Sequence, residues 1–298
     1  MDIHNQVSTK NFKKLYFMIV IPWMACNRTP NSLKKIMKFY YLISLIKKID
    51  EKIFFSLLKK FNNLFYTIFL NLLLFFLRKK INFINTSYNN YNNNSLTRLC
   101  EIYKSDKGSI NHNKKTIWGW KSHTYSNYYF SIFNHFKDSV KLVFECGIGT
   151  NNPNLESNMS INGKPGASLK VWKKYFKNAK IYGADIDKNI LFEEKRIKTY
   201  YVDQLNTLSI KAMWKKIGIK NFDIIIDDGL HTADANTNFF LNSFDKMKKN
   251  GIYIIEDVHV LELYNLMEKL KKFNPELVVL EQDNIKYQNN NLIIIRKD

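Results

Sequence analysis

The chain has 298 residues, a formal net charge of +20 at pH 7 and three cysteines. Cys26, Cys100 and Cys146 are odd in number and far apart, which excludes a cysteine metal cluster or a disulfide framework and points to reduced thiols of a cytosolic protein. Residues 1–100 hold 16 Lys/Arg against 3 Asp/Glu, so most of the basic excess lies in the N-terminal third. A nucleic-acid-binding enzyme would be expected to carry its charge on the catalytic domain instead.

In chain order, residues 1–90 read as a basic extension with two apolar patches. The first, Leu15–Cys26, follows Lys10, Lys13 and Lys14 and resembles the front of a signal peptide, but no small-residue cleavage pattern follows it. The second, Leu64–Leu77, lies between Lys59-Lys60 and Arg78-Lys79-Lys80. It is shorter than the ~20 residues that cross a bilayer, so an interfacial helix or a helix packed on a partner is the expectation. The Asn-rich run Tyr88–Asn94 reads as a linker and places the domain boundary.

From Leu96 the texture changes. Ser95 opens a helix through Leu99 and Tyr103 that stops at Ser105-Asp106-Lys107-Gly108. An aromatic stretch from Trp118 to Tyr129 precedes a further helix through Phe133 and Phe136. Strand and helix patterns then alternate. Strands are predicted at Val140–Cys146, Lys180–Ile186, Thr199–Asp203, Asp223–Asp227, Ile252–Glu256, Leu277–Glu281 and Leu292–Arg296. Helices are predicted near Leu169–Phe176, Ile190–Arg196, Ser209–Ile217, Asp234–Lys249 and Leu261–Phe273. The alternation implies crossover units, hence an α/β fold with a Rossmann-like, seven-stranded, mostly parallel sheet over residues 96–298, closing with a hairpin.

Ligands of such sheets sit beyond the carboxyl ends of the strands. The first strand ends Glu145-Cys146-Gly147-Ile148-Gly149-Thr150, a turn whose glycines let backbone approach a nucleotide-like ligand. Asn152 stands where a dinucleotide fingerprint has its third glycine, which argues against a pyrophosphate. The second strand ends in Asp185 and Asp187. An acid there suits a ribose diol, and Asp187 also suits a helix cap. The third ends in Asp203-Gln204, suited to an adenine edge or an amino group. Together these strand ends describe an adenosine-bearing ligand without a pyrophosphate.

The fourth and fifth strands end in Asp227-Asp228-Gly229-Leu230-His231 and Glu256-Asp257. Adjacent parallel strands lie about 4.8 Å apart. Asp228, Glu256 and Asp257 are therefore expected to converge on one ion, and an all-oxygen set selects Mg²⁺, Mn²⁺ or Ca²⁺ over zinc. His231 would stand beside it as a general base. The competing reading is that each acid caps the helix that follows.

These motifs, in this order, resemble the class I S-adenosylmethionine-dependent methyltransferases. More narrowly, they are similar to the metal-dependent sugar O-methyltransferases of the macrocin and mycinamicin type. The loop Asn162–Trp172, Asp106-Lys107-Gly108 and His123-Thr124-Tyr125 join the match. The resemblance implies that Glu145, Gly147, Gly149, Ser168, Asp185, Asp203 and Gln204 bind S-adenosyl-L-methionine. It further implies that Asp228, Glu256 and Asp257 bind Mg²⁺ (or Mn²⁺) and that His231 is the catalytic base. The implied activity is methylation of a hydroxyl of a sugar, glycan or glycosylated metabolite, in the cytoplasm, with peripheral membrane contact through residues 1–90 and a homo-oligomer both left open. Leu230 departs from the pattern, standing where the family commonly has serine. Two alternatives remain at this level: a methyltransferase-like scaffold at a membrane, and a metal-dependent hydroxylase-like relative of the same fold.

Overall fold

The computed structural model describes residues 82–87, 93–110, 116–117, 119–281 and 290–298. Internal contacts divide the chain into units 1–72 and 73–298, and every described residue belongs to the second. The apolar patches Leu15–Cys26 and Leu64–Leu77 lie outside the described residues.

Nine strands form one sheet among the described residues: β1 (Asn82–Ser87), β2 (Leu142–Cys146), β3 (Lys180–Asp185), β4 (Glu193–Glu194), β5 (Ile197–Tyr201), β6 (Phe222–Asp227), β7 (Met247–Glu256), β8 (Glu276–Glu281) and β9 (Asn291–Arg296). Their spatial order is β1-β8-β9-β7-β6-β2-β3-β5-β4. All seven predicted strands are present, and the last two pair as an antiparallel hairpin. Antiparallel pairing is otherwise confined to β7 with β9 and β4 with β5. β2 therefore sits mid-sheet between β3 and β6, with β7 beyond β6. That order brings the ends of β2, β3, β6 and β7 side by side.

Alternate residues of the central strands feed two apolar layers, as a period of two requires. On one face Val143, Ile181, Ile224, Ile226, Ile252 and Ile254 pack with residues of α1 (Ser95–Tyr103), α2 (Tyr125–Phe133) and α3 (Ala167–Tyr175). Tyr129, Phe133, Trp172 and Phe176 form a ring cluster in that layer. On the other face Phe144 meets Trp214 of α4 (Thr207–Ile217) and Phe239 of α5 (Ala233–Ser243). Burying each such side chain is worth roughly 1.5–3 kcal/mol, which is what fixes the helices over the sheet. Val260–Leu270 forms α6, and it packs beside α5.

Three differences from the sequence reading have identifiable causes. First, β1 pairs in parallel with β8, so Asn82–Ser87, expected within a helical extension, is a strand at the sheet edge. Second, α1 is capped by Asn94, not Ser95: its side chain accepts from the amides of Leu96 and Thr97 at 3.0 and 2.9 Å. Third, no α-helix spans Ile190–Arg196. A 3₁₀ turn at Lys188–Ile190 leads into β4, which folds back on β5. Arg196 turns that hairpin at φ +68° and donates to the carbonyls of Lys173, Phe176 and Ala179 near the end of α3. Unpaired carbonyls at a helix C-terminus attract a guanidinium, and that attraction outweighs local helix propensity here.

Candidate active site

The strand ends border a cleft of about 680 Å³. Gly147, Gly149, Asp185 and Asp203 line it, as do Asp106, His123, Asp228, His231 and Asp257. Glycine is required at Gly147: its φ is +81°, and a Cβ there would lie 2.0 Å from the Asp228 carbonyl oxygen. Gly149 has φ +85°. The two glycines let the β2 loop pass close under the cleft without side chains filling it.

Asp185 closes this loop from β3. Its carboxylate accepts from the amide of Ile148 at 2.8 Å and of Asp187 at 2.9 Å. Burial raises its pKa, and these amides oppose the rise. Each oxygen keeps a second lone pair that could accept a ligand hydroxyl. Asp187 is a cap: it accepts from the amide of Asn189 and the hydroxyl of Thr150. The Thr150 hydroxyl, followed by that amide, holds its pKa below the usual carboxylate value.

Two residues expected at the cofactor have protein partners in this structure. Gln204 lines the cleft, donates through Nε2 to Asp227 at 2.5 Å and accepts the Leu230 amide at 2.8 Å. Its amide thus braces the loop after β6 at the place expected to meet an adenine edge or the ligand's amino group. Glu145 is fully buried and does not line the cleft. Trp172 Nε1 donates to its Oε2 at 2.6 Å, and the Ser168 hydroxyl also bonds it. Ser168 therefore acts through Glu145, from the first turn of α3.

At the acid end, Asp227 is buried and accepts from Gln204 and from Asn236. Burial pushes its pKa up to about 6, against the opposing effect of those two amides. Asp228 and Asp257 are partly open, with side-chain exposures of 23% and 21%. Tyr125 donates to Asp257 Oδ1 at 3.2 Å, and His123 Nε2 lies 3.5 Å from the same oxygen. Glu256 behaves differently. It is 1% exposed, accepts from Tyr129 at 2.6 Å through Oε1, and meets Lys107 Nζ at 2.6 Å through Oε2.

The same ammonium lies 2.6 Å from Asp228 Oδ2 and 3.1 Å from Glu145 Oε1. Burial disfavours the charge on Lys107, but Asp228, Glu145 and Glu256 outweigh it and hold its pKa well above the usual lysine value. The expected convergence of Asp228, Glu256 and Asp257 on one ion is thus not what the structure brings together. β6 and β7 are neighbours as expected, but Glu256 is buried against Lys107 and Tyr129 and does not line the cleft. Among the described residues no three His, Cys, Asp or Glu side chains are grouped so as to hold a metal ion. Asp106, Asp228 and Asp257 line the cleft, and their carboxylate oxygens are the hard donors that a divalent cation prefers.

His231 lines the cleft three residues after Asp228. Its φ is +59°, and its Nδ1 is buried without a hydrogen-bond partner. Asp257 also adopts a left-handed conformation, at φ +58°. Non-glycine residues in this region carry strain and concentrate at functional sites.

Lys107, Tyr125 and Tyr129 were missed as contributors of chemistry. The signal available for Lys107 was its turn, Asp106-Lys107-Gly108. Ser126 N donates to the Lys107 carbonyl at 2.8 Å, and a Cβ on Gly108 would meet Ser126 Oγ at 1.9 Å. Glycine there lets the turn dock against α2, which carries Lys107 inward.

No family model matches the chain. A stretch of 139 residues, 47% of the chain, is 32% identical to 8-demethyl-8-alpha-L-rhamnosyl tetracenomycin-C 2'-O-methyltransferase of Streptomyces olivaceus and covers 34% of that protein. Demethylmacrocin O-methyltransferase of Streptomyces fradiae is 32% identical over 142 residues, 47% of the chain and 33% of the relative. Mycinamicin VI 2''-O-methyltransferase of Micromonospora griseorubida is 30% identical over 137 residues, 46% and 32% respectively. The chain spans about a third of the length of the curated relatives it matches. Among solved structures, MycE methyltransferase from the mycinamycin pathway, in complex with Mg and SAH, aligns with 70% of the chain and 56% of its own, at 22% identity and a TM-score of 0.48. The curated relatives of this chain are sugar O-methyltransferases of the macrocin and mycinamicin type.

Proposed function

We propose that the chain is an S-adenosylmethionine-dependent O-methyltransferase that methylates a hydroxyl of a sugar or glycosylated small molecule, with a divalent cation in the cleft. The observation that carries this reading is that one cleft is lined by Gly147, Gly149 and Asp185 and also by Asp228, Asp257 and His231, whose buried Nδ1 has no hydrogen-bond partner. The relatives support the acceptor class. The methyl donor is a cytosolic metabolite, so we place the reaction in the cytoplasm.

Asp185 accepts the ribose hydroxyls, and the Gly147–Gly149 backbone lies alongside the ligand. S-Adenosylmethionine supplies an electrophilic methyl group, and a cation at Asp228 and Asp257 supplies polarisation of the acceptor hydroxyl. His231 would take the proton of the acceptor hydroxyl, while S-adenosylmethionine would supply the methyl group by cleavage of its carbon–sulfur bond, leaving a neutral thioether. Fixing two substrates in one cleft contributes several kcal/mol, on the order of 7 or more for a well-aligned pair.

The experiment is titration calorimetry of the full chain with S-adenosylmethionine, with and without Mg²⁺, followed by transfer of labelled methyl to glycosides bearing neighbouring hydroxyls. Micromolar binding and label in the sugar are the expected results. A folded protein that does not bind the methyl donor sinks the reading. Consumption of 2-oxoglutarate with iron, in place of methyl transfer, would favour the hydroxylase-like alternative.

A further inference from the structure

Three tryptophans fall among the described residues, and they differ in where their rings lie. Trp172 and Trp214 are buried, and their indole N–H groups donate to Glu145 Oε2 at 2.6 Å and to Ser243 Oγ at 2.9 Å. Trp120 is 39% exposed and lines the cleft. An indole left in water forgoes the stabilisation that covering its large apolar face brings, and a ligand that enters the cleft can supply that cover.

The backbone is shaped to hold the ring there. Gly119, immediately before it, has φ +100°, and a Cβ on it would meet nothing within 4 Å. Glycine thus serves the conformation of this turn, since there is room for a side chain. The Thr116 hydroxyl donates to the Trp120 carbonyl. Three residues on, the His123 amide donates to the Asp106 carbonyl at 2.7 Å, and His123 Nε2 lies 3.5 Å from Asp257 Oδ1. Trp120 therefore belongs to the segment that meets Asp257, the acid beside which the acceptor hydroxyl is placed above.

We propose that Trp120 is a stacking platform for the acceptor, holding a pyranose ring by its C–H face. The face of an indole carries partial negative charge. The C–H groups of a sugar are made partly positive by the oxygens beside them, so the two faces attract. The sugar's hydroxyls stay at its edge, where one can be presented to the base. This assignment deepens the methyltransferase reading and rests on it for the acceptor being a sugar. A contact to the far face of the ring is made alike in the ground and transition states. Its loss therefore raises KM for the acceptor and leaves kcat nearly as it was.

The test is binding of the methyl glycosides of galactose, mannose and rhamnose to the full chain, read by saturation-transfer NMR and calorimetry. S-Adenosylhomocysteine binding and thermal unfolding are measured on the same samples. In the wild type, magnetisation is expected to reach ring C–H protons of at least one glycoside. Trp120→Ala is expected to weaken that glycoside about tenfold or more and Trp120→Phe less than about threefold, with S-adenosylhomocysteine affinity and Tm unchanged. Trp120→Leu keeps apolar bulk without the π face; it is expected to fall nearer alanine than phenylalanine, and it replaces the alanine variant if that one does not fold.

Unchanged glycoside affinity in folded Trp120→Ala overturns the proposal. An equal loss of S-adenosylhomocysteine affinity also overturns it, because the ring would then belong to the methyl donor. A loss seen with nitrophenyl glycosides but not with methyl glycosides would give the ring to an aglycone, and overturns it too. A wild type that binds S-adenosylhomocysteine but no glycoside overturns the platform alone. Glycoside binding that depends on Trp120, without S-adenosylhomocysteine binding, supports the platform and sinks the transferase reading. Binding of neither overturns both.

Discussion

Gly147 lies directly against the backbone of Asp228, close enough that a Cβ on the glycine would stand 2.0 Å from the Asp228 carbonyl oxygen. The Asp228 amide in turn donates to the Cys146 carbonyl at 2.9 Å. The glycine turn on the ribose side and the acid turn on the proton-transfer side are therefore one packed unit. Gly147→Ala meets both this clash and a left-handed backbone, the latter alone costing about 1–2 kcal/mol. The expected outcome is a loss of about 2 kcal/mol or more of stability and at least tenfold of S-adenosylmethionine affinity. Chemical denaturation and calorimetry of the variant check it.

Substitution of His231 by alanine separates proton transfer from binding. Its Nδ1 has no hydrogen-bond partner, and the hydrogen bonds of Asp185 do not involve it. Turnover is expected to fall about 10²–10⁴-fold, the usual worth of a general base, with methyl-donor affinity held within about threefold. Equal loss of both in single-turnover and binding assays would remove the role assigned to it.

The buried carboxyl of Asp227 predicts a pH dependence of folding. Its pKa in the fold is about 6 against an ordinary 3.8, so the folded state binds its proton more tightly than the unfolded chain does. The stability this group contributes is full below pH 3.8 and is lost as pH rises through about 6. Relative to Asp227→Asn, the wild type should lose about 3 kcal/mol between pH 4 and pH 7, from a shift of roughly two pKa units at 1.36 kcal/mol each. Urea unfolding of both proteins at a series of pH values measures the difference. A difference that does not change with pH would show that Asp227 titrates alike in both states.

Asn94 ties the entry of α1 to α2. Besides capping two amides, it donates through Nδ2 to Asn127 Oδ1 at 2.8 Å. Asn94→Ala is expected to cost about 2 kcal/mol, the upper end of a cap loss, because a buried partner is also left short of a donor. Asn94→Asp, which keeps the cap but not the donor, should recover about half of that in the same thermal unfolding experiment.

The order of the seven strands along the chain and the acids at their ends were legible because both are local signals. A strand buried on both faces must be a continuous apolar run, and a charged side chain can appear only where that run leaves the core. Asp185, Asp228 and His231 were found in this way, and the structure places all three on the cleft. The hairpin at Glu193–Tyr201 was read as helix because its determinant, Arg196 reaching the end of α3, is not local.

Sequence by itself determined which residues end the strands and that their carboxylates gather on one edge of a parallel sheet. Only the tertiary structure decided which of those acids face the cleft. Lys107 is 121 residues from Asp228 and 149 from Glu256 in the chain, and Trp172 is 27 from Glu145. No periodicity records such pairings. They arise when the β2, β6 and β7 ends become neighbours and several buried carboxylates require a compensating charge. The requirement is general, whereas the residue that meets it is fixed by the turn at Gly108 docking on α2.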